Sequence, residues 1–130
     1  MAASLRPGDG AVAEALALCL TFVGRAGLGD DVADRLAIVV EEWVLNIIEH
    51  GAAPEDSVIE LSIDQADAHV RICVADSGTA FDPRTAVPEG PNLERGGGAG
   101  LALIQAWTRI ASYRRHQARN EVVFELPVAV

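Results

Sequence analysis

Glu42, Asn46 and His50 are spaced four residues apart in the run EEWVLNIIEHG, and that spacing brings side chains onto one face of a helix. An asparagine carbonyl is a hard oxygen ligand suited to Mg²⁺. A carboxylate one turn earlier could accept the proton of a hydroxyl that attacks a phosphoryl group. Asn also costs helix propensity, so it is a poor choice where only a helix is wanted. Taken alone, the stripe reads as well as a solvated face.

A second group lies in VADSGTAFDP, where an alternating run ends. Asp76 could accept a hydrogen bond from an exocyclic amino group such as that of adenine, and Gly78 lets a flat ring approach the backbone. Asp-Ser-Gly is also an ordinary turn. The third group, ERGGGAGLALI, places Gly96, Gly97, Gly98 and Gly100 at the opening of an apolar stretch. Glycine-rich backbone can wrap phosphate oxygens with its N–H groups, and a helix N-terminus adds partial positive charge. A flexible linker has the same composition. If phosphates are handled, some such device is required, because all ten basic residues are Arg and none is Lys. That composition removes the P-loop Lys, the ATP-anchoring Lys of ordinary protein kinases and Schiff-base chemistry.

The elements that must position these groups are marked by clear punctuation. Ala11 to about Arg25 is rich in helix formers, with Asp9 placed to cap it and Gly27 and Gly29 to end it. From Asp30 to His50, Val32, Leu36, Val39, Val40, Trp43 and Ile47 recur at three- and four-residue spacing, and Gly51 follows at the stop. Val58–Asp64 and His69–Asp76 alternate, with Ile59, Leu61 and Ile63 on one face of the first and Val70, Ile72 and Val74 on one face of the second. The polar link 65–68 makes them a hairpin. Arg84 to Gly98 contains Pro88, Pro91 and a glycine cluster and reads as a lid. Ala99–Thr108 is a short helix, and Ile110–His116 with Asn120–Leu126 forms a second hairpin. Helices segregated from hairpin-joined strands predict an α+β fold: a two-layer sandwich with helices on one face of a mostly antiparallel sheet.

The chain of 130 residues, half of them apolar, is the size of one domain with one core, with residues 1–10 as an N-terminal segment and 11–130 as the domain. No long uncharged apolar run or signal-peptide pattern is found, so a soluble cytosolic protein without membrane contact is expected. A net charge of −9 argues against a nucleic-acid partner, since that affinity comes from clustered cations. Cys19 and Cys73 lack metal or redox spacing and read as small buried hydrophobes. Within the lid only Arg can meet a developing phosphoryl charge, and Arg84 and Arg95 bracket it, with Arg95 beside the glycine cluster.

In this order the three groups resemble the N, G1 and G2 boxes of the GHKL, or histidine-kinase-like, ATPases, and are similar to those of the anti-sigma-factor serine/threonine kinases within that family. The likeness runs from about residue 12 to 126. It implies the Bergerat ATP-binding fold with ATP and Mg²⁺ as ligands. In function it implies a kinase that phosphorylates an anti-anti-sigma STAS-domain partner and sequesters a sigma factor. The alternatives are a nucleotide-responsive binding module without phosphoryl transfer and a detached sensor-kinase ATP-binding domain. The implied roles are Glu42 as general base, with Glu41 as competitor, Asn46 as Mg²⁺ ligand, and Asp76 as adenine anchor with Gly78 beside it. Ala80 stands where broader G1 boxes carry a second glycine. Gly98, Ala99, Gly100 and Leu101 would lie along the phosphates, with His50 near them. The family commonly pairs, and Ile38, Leu45 and Ile48 add apolar surface to the second helix, so a homodimer is expected. Trp43 and Leu45 are larger than the usual N-box residues, and Val122 stands where many relatives place a Thr near the start of the last strand. The family begins with a strand, which the short, Pro- and Gly-containing Met1–Gly10 leaves truncated or absent.

Overall fold

The structure, a computed structural model, describes residues 1–8, 10–54, 56–87 and 99–128. Its elements in chain order are β1 (Ala2–Leu5), α1 (Ala11–Ala26), α2 (Asp30–His50), β2 (Ile59–Ala66), β3 (His69–Asp76), α3 (Ala99–Trp107), β4 (Arg109–His116) and β5 (Arg119–Pro127). The five strands form one antiparallel sheet in the order β1-β2-β3-β5-β4. The three helices pack on it as a single layer, giving the α+β two-layer architecture.

Side-chain periodicity accounts for the layers. Successive strand residues point to opposite faces, so Ile59, Leu61 and Ile63, Val70, Ile72 and Val74, and Val122, Phe124 and Leu126 all turn inward and are buried. Against them α2 buries Leu36, Val39, Val40, Trp43, Val44 and Ile47, and α1 buries Ala11, Ala15, Cys19 and Phe22. Trp43 is central: its ring meets Phe124 edge-on at 5.3 Å between centroids and Phe81 at 5.9 Å. Truncating a fully buried ring such as Phe124 to Ala costs about 3–5 kcal/mol. Burial also pushes the Cys19 thiol up to about 12, which leaves it an inert apolar filler. Cys73 is half-buried on β3, and both thiols are free. No described helix is long and apolar enough to cross a membrane.

The opening strand is present, contrary to the expectation that it would be truncated or absent. Ala2–Leu5 pairs with β2, Leu5 opposite Ile59, and Leu5 is fully buried. Pro7 and Gly8 follow the strand and turn the chain into α1, so they bound the pairing and do not interrupt it. The α1 cap position falls on Gly10, which offers no side-chain cap; Asp9 lies outside the described residues. At the other end Gly27 takes the left-handed conformation (φ 66°) that closes α1, its N–H bonding to Val23 O.

Candidate functional site

The inward faces of β3 and β5 change character at one end of the sheet. On β3 the apolar series Val70, Ile72, Val74 is continued by Asp76, and on β5 the series Leu126, Phe124, Val122 is continued by Asn120. The antiparallel register sets Asp76 directly opposite Asn120. Each is only 4% exposed, and polar groups so buried require partners. Asp76 Oδ1 accepts the Gly78 N–H at 2.8 Å and Asn120 Nδ2 at 3.2 Å. Asn120 Nδ2 also faces the carbonyls of Gly78 and Thr79 at 3.3 and 3.0 Å. Its Oδ1 accepts the Tyr113 hydroxyl at 2.6 Å and an Arg115 N–H at 2.9 Å. Arg115 reaches Gly78 O as well, at 2.9 Å, and the Phe81 N–H bonds to the Tyr113 oxygen at 3.2 Å.

The turn pinned in this way is joined to the end of α2. Thr79 donates both its backbone N–H, at 2.6 Å, and its hydroxyl, at 3.1 Å, to Gly51 O. A Cβ on Gly78 would lie 2.6 Å from Gly51 O and 3.0 Å from Asp76 Oδ1, so glycine is required here by the close approach of two backbones. Between the turn and the helix lies a small cavity, of about 60 Å³, lined by Trp43, Asn46, Ile47, His50, Gly51, Asp76, Thr79, Ala80, Phe81 and Asn120. A pocket that encloses a whole ligand usually measures about 300 Å³ or more, so this cavity can take part of a flat group and leaves the remainder outside. Trp43 helps to fill it, and the indole Nε1 is buried without a hydrogen-bond partner among the described residues.

A second cluster lies one helical turn earlier on α2. Glu42 meets the first turn of α3: a Cβ on Gly100 would run into the Glu42 carboxylate. Its carboxyl is held above the ordinary value by burial first, and then by the like charges of Glu41 and Glu49. A carboxylate raised in this way is a stronger proton acceptor than an ordinary glutamate. Ala99 is exposed and Leu101 half-buried on the same first turn of α3.

The start of the expected lid is tied down. Gln105 of α3 donates to Pro83 O at 3.0 Å and Ala86 O at 2.9 Å. Arg84 is paired with Asp82, closest at 2.8 Å, and lies 5.9 Å from the Tyr113 ring centre. That bond holds the Asp82 carboxyl below its usual range. Arg95 and Gly98, with the rest of 88–98, lie outside the described residues.

Of the residues expected from sequence, Asn46, His50, Asp76 and Ala80 therefore border one cavity, with Gly78 bonded behind Asp76. Glu42 and Gly100 meet beside α3. Val122, which stands where many relatives place a Thr, pairs with Val74 in the core, and the polar position opposite Asp76 is Asn120, two residues earlier. Thr79, Tyr113, Arg115 and Asn120 were missed. Two-residue periodicity held the signal for Asn120, which shares the face of Val122, Phe124 and Leu126.

Comparison with known proteins bears on this geometry. Residues 6–126 match the family model described as the histidine kinase-like ATPase domain. The serine/threonine-protein kinase BtrW of Bordetella bronchiseptica is 31% identical over 94 residues, covering 67% of this chain and 65% of the relative. The chain thus spans less than two thirds of that relative's length. The RsbU and RsbW domains of Rv1364c from Mycobacterium tuberculosis superpose with a TM-score of 0.66 at 17% identity, over 98% of this chain and 32% of that one. A blue-light activated histidine kinase of Erythrobacter litoralis superposes with a TM-score of 0.58 at 20% identity, over 78% of this chain and 32% of that one. At these identities the two superpositions speak for the fold. The chain belongs to the histidine kinase-like ATPase family.

Proposed function

We propose that this histidine kinase-like ATPase domain binds Mg·ATP with its base in the Asp76 cavity and transfers the γ-phosphoryl group to a serine or threonine of a protein partner. The observation that carries the reading is the gathering of Asp76, Asn46 and His50 around one cavity. Glu42 stands one turn from Asn46 on the same helix, against the first turn of α3. Asp76 accepts the exocyclic amine of adenine, and Ala80 leaves room beside the ring. Asn46 offers one oxygen to Mg²⁺, which supplies charge neutralisation at the phosphates when bound. Ala99, Gly100 and Leu101 in the first turn of α3, with Gly98 just before it in sequence, offer backbone N–H groups to phosphate oxygens, and His50 lies at the cavity end of the same site. Glu42 takes the proton of the attacking hydroxyl as its oxygen bonds to the γ-phosphorus and the β–γ bridge breaks, leaving ADP and a phosphorylated side chain. Arg95 is the cation placed in sequence to meet the charge that develops on the transferred group.

The similarity to a serine/threonine-protein kinase supports transfer to a protein side chain. The resemblance of the three sequence boxes to those of the anti-sigma-factor kinases is the ground for taking an anti-anti-sigma STAS-domain protein as the substrate, a sigma factor as the sequestered partner and a second copy of this chain as the dimer partner. Incubation with γ-labelled ATP, Mg²⁺ and such a STAS protein tests the reading. The expected result is label on a serine or threonine of the partner, lost in Glu42→Gln. Nucleotide binding with no transfer to any candidate partner would leave a nucleotide-responsive module and remove the kinase.

A further inference from the structure

Asn120 has no hydrogen-bonding capacity left for a ligand. Its carbonyl oxygen takes the Tyr113 hydroxyl and Arg115, and its amide nitrogen faces Asp76 Oδ1 and the carbonyls of Gly78 and Thr79. The orientation of the amide is fixed, because a guanidinium can only donate and so must meet the oxygen end. The nitrogen end is then obliged to face Asp76. With the Gly78 N–H on the same oxygen, Asp76 Oδ1 carries two protein donors, and no described residue donates to Oδ2. The carboxylate is held with one oxygen bound to the protein and the other left as an acceptor at the cavity that both residues line.

We infer that Asn120, locked by Tyr113 and Arg115, is the positioning residue that sets base selectivity by fixing the Asp76 carboxylate; the inference rests on the adenine reading of that cavity. A ligand amine at this point finds a free, aimed acceptor. A ring carbonyl there would face the carboxylate lone pairs and leave both groups unpaired, which is how a hydrogen-bonding site rejects a near-isostere. Without the Asn120 donor the carboxylate can turn about its side-chain bonds. The amine bond then loses its geometry while stacking and phosphate contacts persist, so 6-amino and 6-keto purines converge in affinity.

Calorimetric titration with ADP and with IDP, which carries a 6-keto base, tests this on the wild type, Asn120→Leu and Tyr113→Phe, each checked for folding by thermal melting. The wild type is expected to prefer ADP. Asn120→Leu should shrink the preference by about tenfold. Tyr113→Phe, which keeps the ring and removes only the hydroxyl, should shrink it by a few-fold in the same direction, and it decides the matter alone if the Leu variant fails to fold. A purely structural role would weaken both nucleotides equally, so an unchanged ADP-to-IDP ratio in a folded variant overturns the inference while leaving the ATP reading intact. A folded wild type that binds neither nucleotide overturns both.

Discussion

The two ends of the candidate site are built differently. At the Asp76 end a buried carboxylate is matched by Gly78 and Asn120, and Asn120 in turn by Tyr113 and Arg115. At the Glu42 end a carboxylate stands against the first turn of α3 near two like charges, with its ionised form disfavoured by burial. The first end is held in place before any ligand arrives, with one Asp76 oxygen left open, and so serves geometry. The second has its charged form disfavoured by burial and like charges, as suits the general-base role proposed for it. The contrast predicts that changes at the first end act on affinity and stability, and changes at the second act on rate.

The largest effect is expected at Glu42. Glu42→Gln should slow phosphoryl transfer by about a hundredfold or more while ADP affinity holds, measured by single-turnover transfer alongside calorimetry. A fall in affinity as large as the fall in rate would erase the distinction between the two ends. Asp76→Asn should do the converse, weakening nucleotide binding by about 1.5–3 kcal/mol with transfer at saturating ATP less affected. Unchanged affinity would move the base elsewhere.

Two glycine substitutions sharpen the same contrast at smaller scale. In Gly78→Ala the new methyl meets the Gly51 carbonyl, backbone that cannot swing aside, so thermal melting should show a loss of about 1–3 kcal/mol. In Gly100→Ala it meets the far end of the flexible Glu42 side chain. Stability should then stay within about 0.5 kcal/mol while transfer falls as the carboxylate is displaced. Equal melting temperatures for the two variants would contradict this account of the packing.

The smallest effect concerns pH. Glu42 is raised first by burial and only then by Glu41 and Glu49, so the acid limb of transfer should lie above the ordinary glutamate range. Removing one charge in Glu41→Gln should move that limb to lower pH by less than about one unit. A limb that does not move would remove Glu41 from the environment of the base. The sign for stability follows from the same shift. A carboxyl raised in the folded state favours folding while protonated, and that contribution is lost as pH rises from the ordinary glutamate value through the raised one.

Where the sequence was legible, periodicity made it so. The α2 stripe and the inward faces of β2, β3 and β5 follow from three-, four- and two-residue spacing, and the cavity residues Asn46, His50 and Asp76 came with them. Strand β1 was hidden because four residues offer too few alternations to register. Tyr113 and Arg115 were hidden for a different reason. Their contacts depend on the β4–β5 register, which shifts at a bulge between Ile110 and Ser112, and no local pattern encodes such a shift. The meeting of Glu42 with Gly100 depends on how α2 packs against α3, residues far apart in the chain.

Calorimetric titration of the folded wild-type chain with Mg·ATP tests the central claim most directly. Saturable binding at one site per chain, weakened in Asp76→Asn, is the result predicted from the cavity between α2 and the Asp76–Asn120 end of β3 and β5. A folded sample that takes up no nucleotide would contradict it.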